Sequence, residues 1–342
     1  MCAALRISWL LRALIAAVLA GAALTLADPA HAAASTAASH ERLRQAVKPA
    51  QPLPPQDLLF ASPTTLDHVG RVVAAVMVDG KGPFRFIIDT GANRSTISPR
   101  LVAALGLTPS ASEPMRVAGV TGTAIEPSVH IESLRAGALV ITHTSFPVIW
   151  SPIMAGADGI LGAAGLASAS LLVDFRHNSV VIRRAHEDAI PRGYVRMSAT
   201  RLSGGLLSIP GYVGDVAVDA IIDTGSPQTL GNRALFRALY SHPKAGGKSG
   251  AVSVYGATKQ VRPGEVLLAP ALDLGQIWIT NAPLVYGDFP IFNFWGLTAR
   301  PAIILGMDVL GTLDAFCIDF RHAEIGVVLQ GDQAPPSVSV SG

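Results

Sequence analysis

Cysteine is nearly absent from this chain of 342 residues: Cys2 and Cys317 are the only two, too few for a disulfide framework or a thiolate metal site. Charge is scarce as well. Charged residues make up 15%, and 26 Lys plus Arg against 24 Asp plus Glu leave a net of +2, so no field points to nucleic acid or an anionic membrane as partner. None of the nine histidines forms an H-x-x-x-H pair and no G-x-S-x-G elbow occurs, which removes the metalloprotease and serine-hydrolase signatures. Gly247-Lys248-Ser249 lacks the earlier glycine of a phosphate loop, His242 standing there instead, and reads as a surface loop. Long apolar runs are missing except for Ala13 to Ala27, behind Arg6 and Arg12 and ahead of Asp28-Pro29-Ala30-His31-Ala32-Ala33. At 15 residues it falls short of the ~20 that span a bilayer. Residues 1–33 are therefore expected to be a cleaved signal peptide, with an uncleaved anchor, and so a membrane as partner, the alternative; the mature protein is expected to be exported, periplasmic or secreted, with Cys317 a lone buried thiol.

What is abundant points to a turn-rich globular chain: half the residues are apolar, with 33 Gly and 24 Pro. Residues 34–65 are rich in Ala, Ser and Pro and read as a linker, and 331–342 as a mobile tail. Between them the sequence repeats itself. Phe86-Ile87-Ile88-Asp89-Thr90-Gly91 returns 134 residues later as Ala220-Ile221-Ile222-Asp223-Thr224-Gly225. A helix N-cap candidate follows nine residues after each Asp, Ser98 or Asn232, and Pro99 suits a first helical position. Val117-Ala118-Gly119-Val120-Thr121 matches Val254-Tyr255-Gly256-Ala257-Thr258, a mobile, exposed hairpin in each half. Ile160-Leu161-Gly162 matches Ile304-Leu305-Gly306, and Asp174-Phe175-Arg176-His177 matches Asp319-Phe320-Arg321-His322. The offsets, 134, 137, 144 and 145, rise in one direction as loops lengthen after duplication. They divide the folded region into lobes 66–190 and 191–330. Apart from the two short helices the segments are Val, Ile and Leu runs without a helical period, so the fold is expected to be all-β, two barrel-like lobes facing across a cleft.

An acid ending an apolar strand is costly unless something stabilises it, and Thr plus Gly supply a hydroxyl, backbone donors and a tight turn. Two such turns related by duplication would meet at the axis between the lobes, with Asp89 and Asp223 around one water. Carboxylates that close do not both ionise readily, so one serves as acid while the other activates the water. With its two apolar-Asp-Thr-Gly strands, each followed by an apolar-apolar-Gly segment, the sequence resembles the aspartic protease superfamily in a single-chain, two-lobed form. One Asp-Thr-Gly alone is weak evidence; four elements in order are not. The resemblance covers the folded region. It implies that Asp89 and Asp223 are the catalytic pair, that Thr90 and Thr224 cross-brace the loops with Gly91 and Gly225, and that Gly162 and Gly306 let a strand thread past. It implies a polypeptide substrate, a monomer, and no metal or cofactor. The lack of disulfides favours a bacterial, retropepsin-like relative.

Departures from the pepsin pattern raise further expectations. The residue after Gly is Ala92 in one lobe and Ser226 in the other; a Ser226 hydroxyl bonded to its carboxylate would make Asp223 ionise first and leave the shared proton on Asp89. The only flap-region tyrosine is Tyr255, which leaves open whether the hairpin at Gly119 or the one at Tyr255 and Gly256 closes over substrate. Tyr286, Phe289, Phe292, Phe294 and Trp295 cluster where they could line a pocket or fill a core. Arg42, Arg44 and Lys48 could lie across the cleft as an inhibitory pro-segment or be solvated linker charge. The rivals to an active endopeptidase are a peptide-binding scaffold on the same fold and a latent zymogen.

Overall fold

A computed structural model describes residues 58 to 330 apart from 64, 68, 138, 186–188, 241–249 and 276. The export segment, the linker through residue 57 with Arg42, Arg44 and Lys48, the loop Gly247-Lys248-Ser249 and the tail 331–342 lie outside the described residues.

The residues just before each Asp-Thr-Gly, Phe86-Ile87-Ile88 and Ala220-Ile221-Ile222, form an unbroken apolar run and are accordingly buried on both faces of their strand. In Lys81–Asp89, Phe86 and Ile88 enter the large core with Leu161, while Ile87 packs on the other side with Val73, Val117, Ile149 and Ile160. Val216–Ile222 repeats this: Ile222 joins Leu305 in the same large core, and Ile221 packs with Leu230, Val254 and Ile304. Each strand pairs in parallel with its apolar-apolar-Gly segment, Asp89 opposite Gly162 and Ile222 opposite Leu305. That segment pairs antiparallel with the chain just past the turn, Thr96 opposite Ile160 and Leu230 opposite Ile304. The Asp-Thr-Gly turn is thus enclosed by strands of its own lobe.

Helix α1 (Pro99–Leu105) starts at Ser98, whose hydroxyl accepts from the Leu101 amide at 3.2 Å, and α2 (Arg233–Leu239) at Asn232, whose carbonyl accepts from Leu235 at 2.9 Å. Two shorter helices, α3 (Pro290–Phe294) and α4 (Met307–Leu310), occur only in the second lobe among the described residues.

A six-stranded sheet joins the lobes, in the order Leu58–Pro63, Ser179–Arg184, Ala169–Asp174, Ala315–Asp319, Glu324–Val328, Val195–Ser198. Its central pair comes from both halves, Leu172 opposite Cys317. Asp174 and Asp319 end equivalent strands, and each bonds the ring of the histidine three residues on, His177 at 2.8 Å and His322 at 2.7 Å. Cys317 is fully buried and its thiol is pushed up to about 12 by burial. The linker expected to reach residue 65 ends sooner, because Leu58–Pro63 form the edge strand of this sheet and Thr65–Leu66 pair with Val72–Val73. An edge is where Pro63 is tolerated. The architecture is an all-β, two-lobed fold.

Candidate active site

The two Asp-Thr-Gly turns meet between the lobes and are tied by four hydrogen bonds. The Thr90 hydroxyl donates to the Ile222 carbonyl at 2.8 Å and accepts from the Thr224 amide at 3.1 Å; the Thr224 hydroxyl donates to Ile88 at 2.7 Å and accepts from Thr90 at 3.1 Å. Both threonines are buried. Each hydroxyl uses its donor and one lone pair across the interface, which a valine of the same shape could not do.

This brace sets the carboxyls face to face. Asp89 Oδ1 accepts from the Gly91 and Ala92 amides at 2.9 and 2.8 Å, and Asp223 Oδ1 from the Gly225 and Ser226 amides at 2.8 and 3.0 Å. The two carboxyls lie close enough for each to act on the other. Their closeness requires glycine: a Cβ on Gly91 would overlap the Asp223 carboxyl, and one on Gly225 the Asp89 carboxyl. Gly162 lies under the first turn, where a Cβ would stand 2.6 Å from the Arg94 carbonyl carbon, and Gly306 under the second, 2.5 Å from that of Gln228. Their amides donate to Ser95 Oγ at 3.2 Å and Thr229 Oγ1 at 3.1 Å.

The lobes differ in what surrounds this symmetric centre. Asp223 is buried while Asp89 faces the cleft and is half-buried. Burial raises both carboxyls, and the Asp89 charge raises Asp223 further, whereas the Ala92 amide and the Arg71 guanidinium act to lower Asp89. The pair is raised together, and the Ser226 hydroxyl expected to favour ionisation of Asp223 does not reach that carboxyl. The reason is geometric: Ser226 Oγ donates to the Gln228 carbonyl at 2.7 Å, and only its backbone amide serves Asp223, just as that of Ala92 serves Asp89.

Arg71 went unnoticed in the sequence. It is 2% exposed, binds Asp67 through Nε at 2.8 Å and Nη2 at 2.6 Å, and brings Nη1 within 3.5 Å of the Gly225 carbonyl. These hydrogen bonds, with those from the Arg71 and Val69 amides, outweigh burial and lower Asp67. A second unnoticed acid, Asp308, accepts from the Thr229 hydroxyl at 2.6 Å and amide at 2.9 Å, and burial raises it. The i,i+4 spacing of Asp67 and Arg71 beside the first repeat is the one sequence signal for the former pair; Asp308 was visible only as an acid following the second apolar-apolar-Gly segment.

The hairpins expected to be mobile and exposed meet at their tips. Thr121 and Thr258 are 0% and 2% exposed, and their hydroxyls hydrogen-bond at 2.9 Å. Arg262 Nε donates to the Thr121 carbonyl at 3.0 Å and Ser151 Oγ to that of Gly256 at 2.5 Å. Gly119 sits against Ala257, where a Cβ would stand 3.1 Å away. Both hairpins roof the cleft, so neither alone is the cover; polar tips that satisfy each other across the lobes are buried despite their hydrophilic sequence. Tyr255 remains half exposed and lines the cavity.

Beneath the roof lies a cavity of about 280 Å³ reaching Asp89 and Asp223, walled by Val120, Ile153, Leu230, Tyr255, Ile291 and Trp295. The aromatic cluster divides here. Tyr286, Phe289 and Phe292 are core, Tyr286 packing on Phe236 and Tyr240 at 5.6 and 5.8 Å, while Phe294 and Trp295 face the cleft.

Comparison with known protein families matches the aspartyl protease family over residues 74–164 and again over 209–309, one match in each lobe. The chain belongs to the aspartyl protease family. A search among curated proteins found no match. Family membership supports a protease-like, hydrolytic function in general.

Proposed function

We propose that the protein is an aspartic endopeptidase that hydrolyses peptide bonds of extended polypeptides with a water activated by Asp89 and Asp223. The observation that carries this reading is the pair of facing carboxyls, held by four backbone amides beneath a roofed cavity. In this mechanism Asp89, ionised, takes a proton from the water as its oxygen bonds to the scissile carbonyl carbon. Asp223 gives its proton to the carbonyl oxygen, producing a neutral tetrahedral diol. Collapse breaks the C–N bond: a diol hydroxyl returns its proton to Asp223, and Asp89 passes the proton it took to the leaving nitrogen. Both carboxyls end as they began, and no covalent intermediate forms. A cavity with apolar walls excludes bulk water, which strengthens each of these interactions.

The same reading has the enzyme act as a monomer after export, since one chain supplies both aspartates. A non-catalytic scaffold is the lesser alternative, because two mutually repelling acids have no use in one. The test is incubation of the purified protein with a denatured protein mixture from about pH 3 to 8, with cuts mapped by mass spectrometry. Internal cuts are expected. A folded protein that cuts nothing contradicts an active enzyme, and activity appearing only after removal of residues preceding 58 identifies a latent one.

A further inference from the structure

On the Asp89 side the main cavity continues into a recess of about 70 Å³, the two sharing Asp89, Ala118, Ile153 and Trp295. Its floor is apolar, with Val117, Ile149 and Ile160 buried. Two exposed guanidinium side chains, Arg94 and Arg116, line it as well. Thr96, also in the lining and 6% exposed, carries a buried hydroxyl without a hydrogen-bond partner. Arg94 also lines an outer groove of about 850 Å³ together with Arg201, Asn93 and Ser145. Recess and groove contain no carboxylate except that of Asp89. Among the described residues, none of the three arginines pairs with an acid, and Arg201 donates instead to the carbonyls of Phe320 and Arg321. The rest of the main cavity carries only one cation, Arg71, which is already paired with Asp67.

Resting on the peptidase reading above, we infer that the Asp89 side of the cleft is a subsite for an acidic side chain, so that substrates carry Glu or Asp on that side of the scissile bond. A carboxylate entering the recess keeps its methylenes on Val117 and Ile160 and meets donors from Arg94 and Arg116. An acidic residue further along the peptide meets Arg94 again and Arg201 in the outer groove. Arginine forks suit this role, each presenting five N–H groups in a geometry that matches a carboxylate. The arginines touch solvent, which limits each ion pair. Two together support a preference of about tenfold in kcat/KM, declining with added salt.

The test is a set of fluorogenic peptides of one parent sequence with Glu placed in turn at each position around the cut, each compared with its Gln isostere. The full chain, Arg94→Gln/Arg116→Gln and Arg94→Glu/Arg116→Glu are assayed in parallel. One position on one side of the cut should show the Glu preference, close to unity in the double Gln variant and inverted in the double Glu variant. Cleavage with no Glu preference anywhere, or a preference that survives in both variants, overturns the subsite. If nothing is cleaved, binding of the same labelled peptides to Asp89→Asn/Asp223→Asn by fluorescence polarisation decides separately. Tighter binding of one Glu peptide, lost in the arginine variants, keeps the subsite without the peptidase; equal binding of Glu and Gln peptides overturns the subsite.

Discussion

At the scale of single residues, Arg71 is one of the groups that set the two aspartates apart, acting on Asp89 after burial and the Ala92 amide. Its positive charge lowers Asp89, while Asp223 feels the charge of Asp89. Replacing the ion pair as a unit, Arg71→Met with Asp67→Asn, avoids leaving a buried unpaired acid. It should move the acidic limb of kcat/KM to higher pH, because Asp89 then ionises later. Ser226→Ala should leave that limb in place, since the Ser226 hydroxyl bonds Gln228. A pH–rate profile of the two variants checks both, and a shift with Ser226→Ala alone would mean that its hydroxyl acts on Asp223 after all. Stability gives a second readout. A carboxyl raised in the folded state contributes stability that is full below the ordinary 3.8 and is lost as pH rises through its raised value. Asp223→Asn should therefore raise the melting temperature at neutral pH by a few degrees, on the order of 1 kcal/mol, and change little near pH 3. Thermal melts at both pH values measure it; a neutral-pH melting point no higher than that of the parent contradicts it. The sequence marked Asp89, Asp223, Thr90 and Thr224 because all lie in the repeat. It did not mark Arg71, which has no repeat partner, and it misread Ser226, because a hydroxyl's direction is set by the local turn rather than by residue type.

Elements carry the brace and the roof. Thr90→Val orphans the Thr224 amide and the Ile222 carbonyl at a buried interface, and should cost about 1–3 kcal/mol in denaturant unfolding. A loss below a few tenths would mean that the turns are held by packing alone. The roof is closed by Thr121 against Thr258, and a polypeptide is expected to enter by parting the tips. A Thr121→Cys/Thr258→Cys variant should lose activity on oxidation and regain it on reduction, with Cys317 too buried to interfere. Undiminished activity of the oxidised form would show that substrate enters elsewhere. Hairpins and capped helices were legible because they depend on local signals: glycine at a turn, Ser98 and Asn232 ahead of apolar positions. The meeting of the tips was not, since Thr121 and Thr258 lie 137 residues apart and look like ordinary exposed turn residues.

Across the whole molecule, the duplication read from the sequence becomes two lobes that are not independent bodies. Ala169–Asp174 lies between a strand of its own lobe and Ala315–Asp319 of the other, and one apolar core runs from Phe86 through Phe316. Calorimetry should show a single cooperative transition; two separated transitions would contradict the shared core. The edge strand Leu58–Pro63 escaped the composition argument because proline richness averaged over residues 34–65 conceals a short apolar run at its end. Every role assigned to the cleft depends on the two carboxyls acting on peptide bonds. The most direct measurement is kcat/KM for one mapped peptide with the parent, Asp89→Asn and Asp223→Asn, each verified as folded by its melting curve. A loss of at least about 10²–10⁴-fold in both variants is predicted; cleavage retained in either one would contradict a shared-water mechanism.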